Sequence, residues 1–333
     1  MEAHMLIFLL ILLFSSTLNG MQLDSKIFVA GHNGLVGSAI CRELQKNGYQ
    51  KLILKSSQEL DLTNQTAVNS FFEQEKPEYV FLAAAKVGGI QANIDHPGQF
   101  IYENLMIQSN VIHAAYENQT KKLLFLGSSC IYPRDCLQPI KEAYLLTQPL
   151  EPSNEYYAIA KISGLKMCAA YNKQYKTNFI SCMPTNLYGP GDNFNLTNSH
   201  VLPALIRKLY EAKLNNLASI TIWGSGTALR EFLYVDDLAS AAIYLMQNYT
   251  GNVPINIGTG QDLSIKELAY KIKQIVGFEG QIDFDKNKPD GTPRKLLDVS
   301  QANQLGWHAS VDIDTGIQKT FDWYIENIAN IRK

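Results

Sequence analysis

A chain of 333 residues, 46% of them hydrophobic, is long enough for a full sheet-based core and a second lobe. Its charges balance to a net −2, so no strongly basic surface for a nucleic-acid partner is implied. The five cysteines, at 41, 130, 136, 168 and 182, follow neither a zinc-ligand spacing nor a small disulfide framework, so free thiols in a reducing compartment and no metal site are expected.

Residues 1–20 stand apart. The apolar run 6–14 is too short for a membrane-spanning helix and resembles the apolar part of a signal peptide, yet no Lys or Arg precedes it and Glu2 has the wrong sign. Met21 stands just ahead of the first predicted strand, so the segment is either a signal peptide or an extension upstream of the true start. Sequons at Asn64, Asn118, Asn195 and Asn248 suit secretion, but an Asn-rich chain acquires them by chance. A cytoplasmic protein without a membrane partner is expected.

Residues 26–30 form a β-run leading into Gly31-His32-Asn33-Gly34-Leu35-Val36-Gly37, and residues 38–46 have helical composition ending at Asn47-Gly48. Strand, glycine turn and helix make the first unit of a dinucleotide fold: glycines admit the pyrophosphate, and the helix N-terminus offers unpaired N–H groups. The next strand, 51–54, ends in Lys55-Ser56-Ser57, where NAD-specific folds place an acid. A cation and two hydroxyls suit a 2′-phosphate instead, hence NADP. Asp61-Leu62 either faces the adenine or supplies, through Asp61, the cap of a helix starting near Gln65.

Residues 79–85 predict a further parallel strand, running into the small residues of Lys86-Val87-Gly88-Gly89-Ile90, across which a cofactor can lie. The segment 100–117 predicts an amphipathic helix. Residues 123–126 predict a buried parallel strand ended by Gly127, placing Ser128, Ser129 and Cys130 at its carboxyl end, where open α/β sheets carry their chemistry. Tyr157 and Lys161 are four apart in a helical segment and so share one face. An ammonium beside a phenol favours the phenolate, and a serine hydroxyl at the same point polarises a carbonyl oxygen. Ser, Tyr and Lys together form a proton-delivery device for a carbonyl receiving hydride.

Residues 179–185 predict another strand, from which Asn186-Leu187-Tyr188-Gly189-Pro190-Gly191 breaks away to begin a second lobe. A loop with Asn195, Asn198, Ser199 and His200 follows, then a helix over 202–212, a strand over 220–223 and a turn at Gly224-Ser225-Gly226. Residues 230–235 are expected to return to the main body, with Asp236 or Asp237 capping a helix over 238–247. A strand at 255–258, a helix at 264–276, a strand near 281–284, a basic loop Pro293-Arg294-Lys295 and two helical stretches complete the chain. The fold class is α/β: a Rossmann-type doubly wound parallel sheet with a smaller α/β C-terminal lobe. Residues 24–187 plus 230–258 form the NADP-binding domain, and 188–229 plus 259–331 the substrate lobe.

The glycine turn, Ala83-Ala84-Ala85-Lys86-Val87-Gly88-Gly89, Gly127-Ser128-Ser129-Cys130-Ile131-Tyr132-Pro133 and Tyr157-Ala-Ile-Ala-Lys161 resemble the GDP-L-fucose synthase family. So do Met183-Pro-Thr-Asn-Leu-Tyr-Gly-Pro190, Asn198-Ser199-His200-Val201, Trp223-Gly-Ser-Gly-Thr227 and Pro289-Asp-Gly-Thr-Pro-Arg-Lys-Leu-Leu-Asp298. The glycine turn and Tyr-x-x-x-Lys define only the extended short-chain dehydrogenase/reductase superfamily; the Ser-Ser-Cys-Ile-Tyr-Pro and Asn-Ser-His blocks are more specific. The resemblance runs from about residue 24 to the C-terminus.

The resemblance implies a two-stage enzyme, in which GDP-4-keto-6-deoxy-D-mannose is epimerised at C3 and C5 and then reduced at C4 with NADPH to GDP-L-fucose. It makes Cys130 the base, His200 the acid, Tyr157 the donor to the C4 oxygen and Ser128 the holder of that oxygen. Lys161 tunes Tyr157 and bonds the nicotinamide ribose. Cofactor contacts are implied at Gly31, Asn33, Gly34, Leu35, Val36, Gly37, Lys55, Asp61, Leu62, Lys161, Pro184, Asn186, Leu187 and His200. For the substrate, Lys208 is implied, Arg230 and Lys295 are the diphosphate partners, and Trp223 packs near the nucleotide. Two departures stand out: Asn33 replaces the Arg of some relatives, and Lys208 replaces an Arg, keeping the charge but not the bidentate fork. A homodimer is expected, built on the 100–117 helix and the helix carrying Tyr157. The rivals are a sister nucleotide-sugar epimerase or dehydratase that retains NAD, and a non-catalytic NADP-binding sensor, which needs none of Ser128, Tyr157 and Lys161.

Overall fold

The structure is a computed structural model describing residues 20–196, 199–288, 290–329 and 331. The apolar run 6–14, Asn198 of the Asn-Ser-His block and Pro289 lie outside the described residues. In chain order the first part runs β1 (Ile27–Ala30), α1 (Leu35–Lys46), β2 (Leu52–Ile53), α2 (Gln65–Glu75), β3 (Tyr79–Leu82), α3 (Ile90–Asp95), α4 (Pro97–Glu117), β4 (Lys122–Leu126), α5 (Glu155–Tyr175) and β5 (Phe179–Pro184). The rest runs β6 (Asn186–Tyr188), α6 (Val201–Leu214), β7 (Ser219–Trp223), β8 (Leu229–Tyr234), α7 (Val235–Asn248), β9 (Ile255–Ile257), β10 (Asp262–Ser264), α8 (Ile265–Val276), β11 (Gln281–Asp285), β12 (Arg294–Lys295), α9 (Ser300–Leu305) and α10 (Ile313–Asn327).

Six strands form a parallel sheet in the order β2-β1-β3-β4-β5-β9. A parallel sheet is covered on both faces, which explains strands apolar at every position: all of β1 and β3 is buried. The pleat sends alternate residues to opposite faces. Ile27 and Val29 join Ile40 and Leu44 of α1 and Leu238 of α7, while Phe28 and Ala30 join Phe72 of α2, Val111 of α4 and Leu165 of α5. A third cluster gathers Leu205 and Leu209 of α6, Ile220 and Ile222 of β7, Leu268 and Ile272 of α8 and Tyr324 of α10. It packs beside a small sheet in the order β10-β8-β12, with β6 also on β8, and a parallel β7–β11 pair.

Several local expectations change. Residues 230–235 do not rejoin the main sheet: β8 pairs with β6, β10 and β12. Its two faces divide between cores, with Phe232 and Tyr234 in the third cluster and Leu233 in the first. Neither Asp236 nor Asp237 caps a helix, because α7 begins at Val235 and has no side-chain cap. Asp236 instead pairs with Arg42 at 2.7 Å, and Asp237 accepts from Ser310 N and Oγ and from Val311 N. Asn64, not Asp61, caps α2; Asp61 accepts from Thr63 N at 2.9 Å and Thr63 Oγ1 at 2.7 Å. The basic loop is in part a strand, since Arg294 and Lys295 pair with Leu229 and Arg230.

Glu231 joins these parts. It is fully buried; Oε1 accepts from Thr259 N at 2.7 Å and Gly260 N at 2.8 Å, and Oε2 from Leu297 N at 3.0 Å. One carboxylate therefore ties β8 to the turn after β9 and to the segment after β12. Glu231→Ala strands amide donors around a cavity and is expected to cost roughly 2–4 kcal/mol, measured by urea unfolding. Stability unchanged in that variant would show that water replaces the carboxylate without loss. All five cysteines are free. Among the described residues no helix is long and apolar enough to cross a membrane, and no three His, Cys, Asp or Glu side chains are grouped to hold a metal ion.

Candidate active site

The turn from β1 into α1 is a cradle of backbone. The first bond closing α1 runs from Ser38 N to Gly34 O at 2.9 Å, and no side chain caps the helix. The amides of Leu35, Val36 and Gly37 thus stand ahead of the helical ladder, the arrangement that binds an anion at a helix N-terminus. Gly31 has φ +86°, and a Cβ on it would lie 2.8 Å from the Ala84 backbone; a Cβ on Gly37 would lie 2.1 Å from Gly31 O. His32 Nδ1 is buried without a protein partner in this same turn. These residues fit a dinucleotide pyrophosphate. Within a helix, alanine is favoured over glycine by about 1 kcal/mol. At residue 37 the clash is with a backbone oxygen that cannot rotate away, and overpacking of this kind costs about 1–3 kcal/mol. Gly37→Ala is therefore expected to lower the melting temperature and weaken NADPH binding at least about tenfold, followed by nucleotide fluorescence. Binding equal to the parent would show that the turn can open without cost.

Farther along, Lys55 is half-buried just beyond the end of β2. Ser56 N and Oγ both donate to Glu59 Oε2, at 2.8 and 2.7 Å, so the proton of that hydroxyl is engaged, while Ser57 is exposed beside Lys55. Asn33 and Asp61 are exposed and Leu62 half-buried, with Leu62 O accepting from Asn110 Nδ2 at 2.9 Å. Pro184 ends β5, and Asn186 Nδ2 donates to Glu231 O at 2.7 Å while Leu187 continues β6.

At the carboxyl end of β4 the backbone turns through Ser128 into a short 3-10 turn, Ser129–Ile131, and Ser128 Oγ accepts from Cys130 N at 3.2 Å. Tyr157 and Lys161 lie one turn apart on α5 and face this point. Lys161 Nζ stands 5.9 Å from the Tyr157 ring centroid and 4.9 Å from that of Phe125, and it donates to Leu126 O at 2.8 Å. Burial brings the Lys161 pKa down to about 8. Burial also raises the Tyr157 phenol above its ordinary value, with the Cys130 charge adding to the rise and the Ser128 hydroxyl opposing it. The expected pull of Lys161 toward phenolate is not what dominates, because its ammonium is tied to a carbonyl and desolvation wins. Tyr157 is held as a phenol, the form from which a proton can be given.

Cys130 is half-buried, and Lys295 Nζ lies 3.4 Å from its Sγ. Burial pushes the thiol up, but Lys295, Ser128 and Asn154 outweigh it and leave its pKa below the usual value. His200 precedes α6 in extended backbone, and its side chain is near enough to Lys295 to feel its charge. Desolvation by the surrounding protein and the charge of Lys295 lower its pKa.

The other substrate candidates stand along β7 and β8. Trp223 is 69% exposed with Lys288 Nζ 5.1 Å from its ring, and Lys208 Nζ donates to Thr221 O. Arg230 Nη1 donates to Leu229 O at 2.8 Å and Nη2 to Asp290 O at 3.4 Å. Lys295 is the register partner of Arg230, yet its ammonium reaches Cys130. Sequence reasoning missed Asn154, which lines the pocket with Cys130 and Lys295 and whose Oδ1 is buried without a partner. Its position ahead of α5 reads as a helix cap, but its side chain makes no cap hydrogen bond.

An open parallel sheet with a glycine turn, and a Ser-Tyr-Lys group at its carboxyl edge, define a dinucleotide-dependent enzyme of the short-chain type. The chain belongs to the NAD dependent epimerase/dehydratase family, whose model matches residues 27–258. It is 59% identical to GDP-L-fucose synthase 1 of Arabidopsis thaliana over 307 residues, 92% of this chain and 95% of that one. Among solved structures it is similar to a GDP-mannoheptose C4 reductase from Campylobacter jejuni with NADP bound, at 44% identity and TM-score 0.85, covering 92% of this chain and 100% of that one. It is also similar to a GDP-L-fucose synthetase from Naegleria fowleri bound to NADP, at 31% identity and TM-score 0.87, covering 94% and 98%.

Proposed function

We propose that this chain converts GDP-4-keto-6-deoxy-D-mannose to GDP-L-fucose, by epimerisation at C3 and C5 followed by NADPH-dependent reduction at C4. The observation that carries the reading is the convergence of Ser128, Cys130, Tyr157 and Lys161 at the carboxyl end of β4. A ketone at C4 acidifies the protons on both neighbouring carbons. At each centre in turn Cys130, as thiolate, takes the proton from carbon and His200 returns one from the opposite face of the ring, proton exchange with solvent resetting both groups between the two centres. Ser128 holds the C4 oxygen, and Tyr157 gives that oxygen its proton as the carbon is reduced. NADPH supplies the hydride. Lys161 orients the nicotinamide ribose, while Gly31, Asn33, Gly34, Leu35, Val36 and Gly37 receive the pyrophosphate. Lys55, Asp61 and Leu62 flank the adenosine end, and Pro184, Asn186 and Leu187 line the nicotinamide side. Arg230 takes the nucleotide diphosphate, with Lys208 and Trp223 at the nucleoside end.

In this reading residues 24–187 plus 230–258 hold the cofactor and 188–229 plus 259–331 the nucleotide sugar. The exposed Tyr102 on α4 and Tyr156 and Ile159 on α5 support a homodimer through the helix pair. A reactive thiol at Cys130 favours the reducing cytoplasm. The similarity to a C4 reductase supports one alternative, reduction without inversion. Purified protein beginning at Met21 is given NADPH and GDP-4-keto-6-deoxy-D-mannose, and the product is examined by NMR. NADPH oxidation with a GDP-L-fucose spectrum is expected. Oxidation to an uninverted 6-deoxyhexose would leave only the reductase, and turnover without net NADPH consumption would favour a hydride-returning epimerase.

A further inference from the structure

Lys295 and Cys130 are 165 residues apart in the chain, yet Nζ and Sγ stand 3.4 Å from one another. The contact is built by the small sheet, since β12 lies parallel to β8 and carries Lys295 to the rim of the pocket after β4. The other cations around this pocket are paired with carboxylates. Arg134 Nε is 3.5 Å from Glu151 Oε2, and Arg294 Nε is 2.6 Å from Asp262 Oδ2. Among the described residues Lys295 has no carboxylate partner, and its ammonium hydrogen-bonds the sulfur. A neutral thiol gains little from such a neighbour, whereas a thiolate gains a charge-assisted hydrogen bond. Facing Sγ besides Lys295 are Tyr157 from α5, Asn154 from the turn before it and Ser128 from its own turn. The two hydrogen-bonding side chains favour the same form as the cation.

We propose that Lys295 is a positioning residue for Cys130, its ammonium holding the sulfur as a thiolate in the cleft before substrate arrives. This deepens the proposed function and rests on its reading of Cys130 as the base. The same charge reaches His200, so one cation from β12 biases both groups that handle the sugar protons.

The test is alkylation of the whole, substrate-free protein by iodoacetamide across a pH series, with the modified Cys130 and Cys136 peptides quantified by mass spectrometry. Cys136 is the internal reference, and NADPH binding reports folding. In the parent, Cys130 is expected to titrate well below Cys136. In Lys295→Gln the Cys130 midpoint is expected to rise by at least about one pH unit. At a pH below both midpoints that cuts the thiolate fraction about tenfold and, after the gain in nucleophilicity, the alkylation rate about threefold. Lys295→Arg, which keeps the charge, is expected to stay near the parent. An unmoved midpoint in Lys295→Gln, or one equally high in both variants, overturns the proposal. The base assignment is tested separately by isotope exchange at C3 and C5 in Cys130→Ser. Alkylation that follows Lys295 alongside exchange that ignores Cys130 would reject the base role and leave the thiolate clamp standing.

Discussion

Tyr157→Phe is expected to slow NADPH oxidation by about 10²–10⁴-fold, the range a positioned general acid contributes, while solvent deuterium continues to enter C3 and C5 of the sugar. The phenol is held protonated by burial, so removing its oxygen removes the proton that the C4 oxygen needs but leaves Cys130 untouched. The substitution deletes one atom from the face of α5 and leaves the edge-on contact of ring 157 with Phe100, at 6.3 Å between centroids, in place. NADPH affinity is therefore expected to hold. A pH profile adds a second reading. Burial sets the Lys161 pKa to about 8, so the cation is present below that value and lost as pH rises through it. In the parent, kcat/KM for reduction is expected to fall above about pH 8, because that parameter reports the free enzyme. Loss of exchange together with reduction in Tyr157→Phe would mean that one group serves both stages.

The second large effect falls on the other stage. Cys130→Ser is expected to reduce deuterium exchange at C3 and C5 by about 10²–10⁴-fold, because a serine hydroxyl beside Lys295 stays protonated where a thiol ionises. Reduction at C4 should persist, since Ser128, Tyr157 and Lys161 remain, and the product should then be a 6-deoxyhexose without inversion at C3 and C5. Exchange at the parent rate would remove Cys130 from its role. The two variants thus separate the stages from opposite sides, one losing hydride transfer with exchange intact and the other the reverse.

The parts of the site carried by one short segment were legible before any tertiary information. The glycine turn, the hydroxyls and thiol after β4, and Tyr157 with Lys161 each depend on neighbours within a few residues. The misreadings share a cause. Asp236 and Asp237 have cap chemistry, but Arg42 and the Ser310–Val311 backbone compete for their carboxylates from far along the chain. Asp61 has cap chemistry as well, but it turns to Thr63 N and Oγ1, and Asn64 is the cap, lying three residues before the amide it accepts from.

By itself, then, the sequence determined the elements and the class of chemistry. Continuous apolar runs dictate strands buried on both faces, four-residue spacing puts Tyr157 and Lys161 on one helix face, and glycine alone tolerates the turn after β1. Which strands pair and which distant charges meet follows from long-range packing instead. β8 reads as a strand returning to the main body, yet it joins β6, β10 and β12, and that pairing brings Lys295 to Cys130 and seats Glu231 among three amides. Local patterns set backbone conformation over a few residues. Contacts 165 residues apart depend on how whole faces are buried against each other, a choice made by the packing of three cores together.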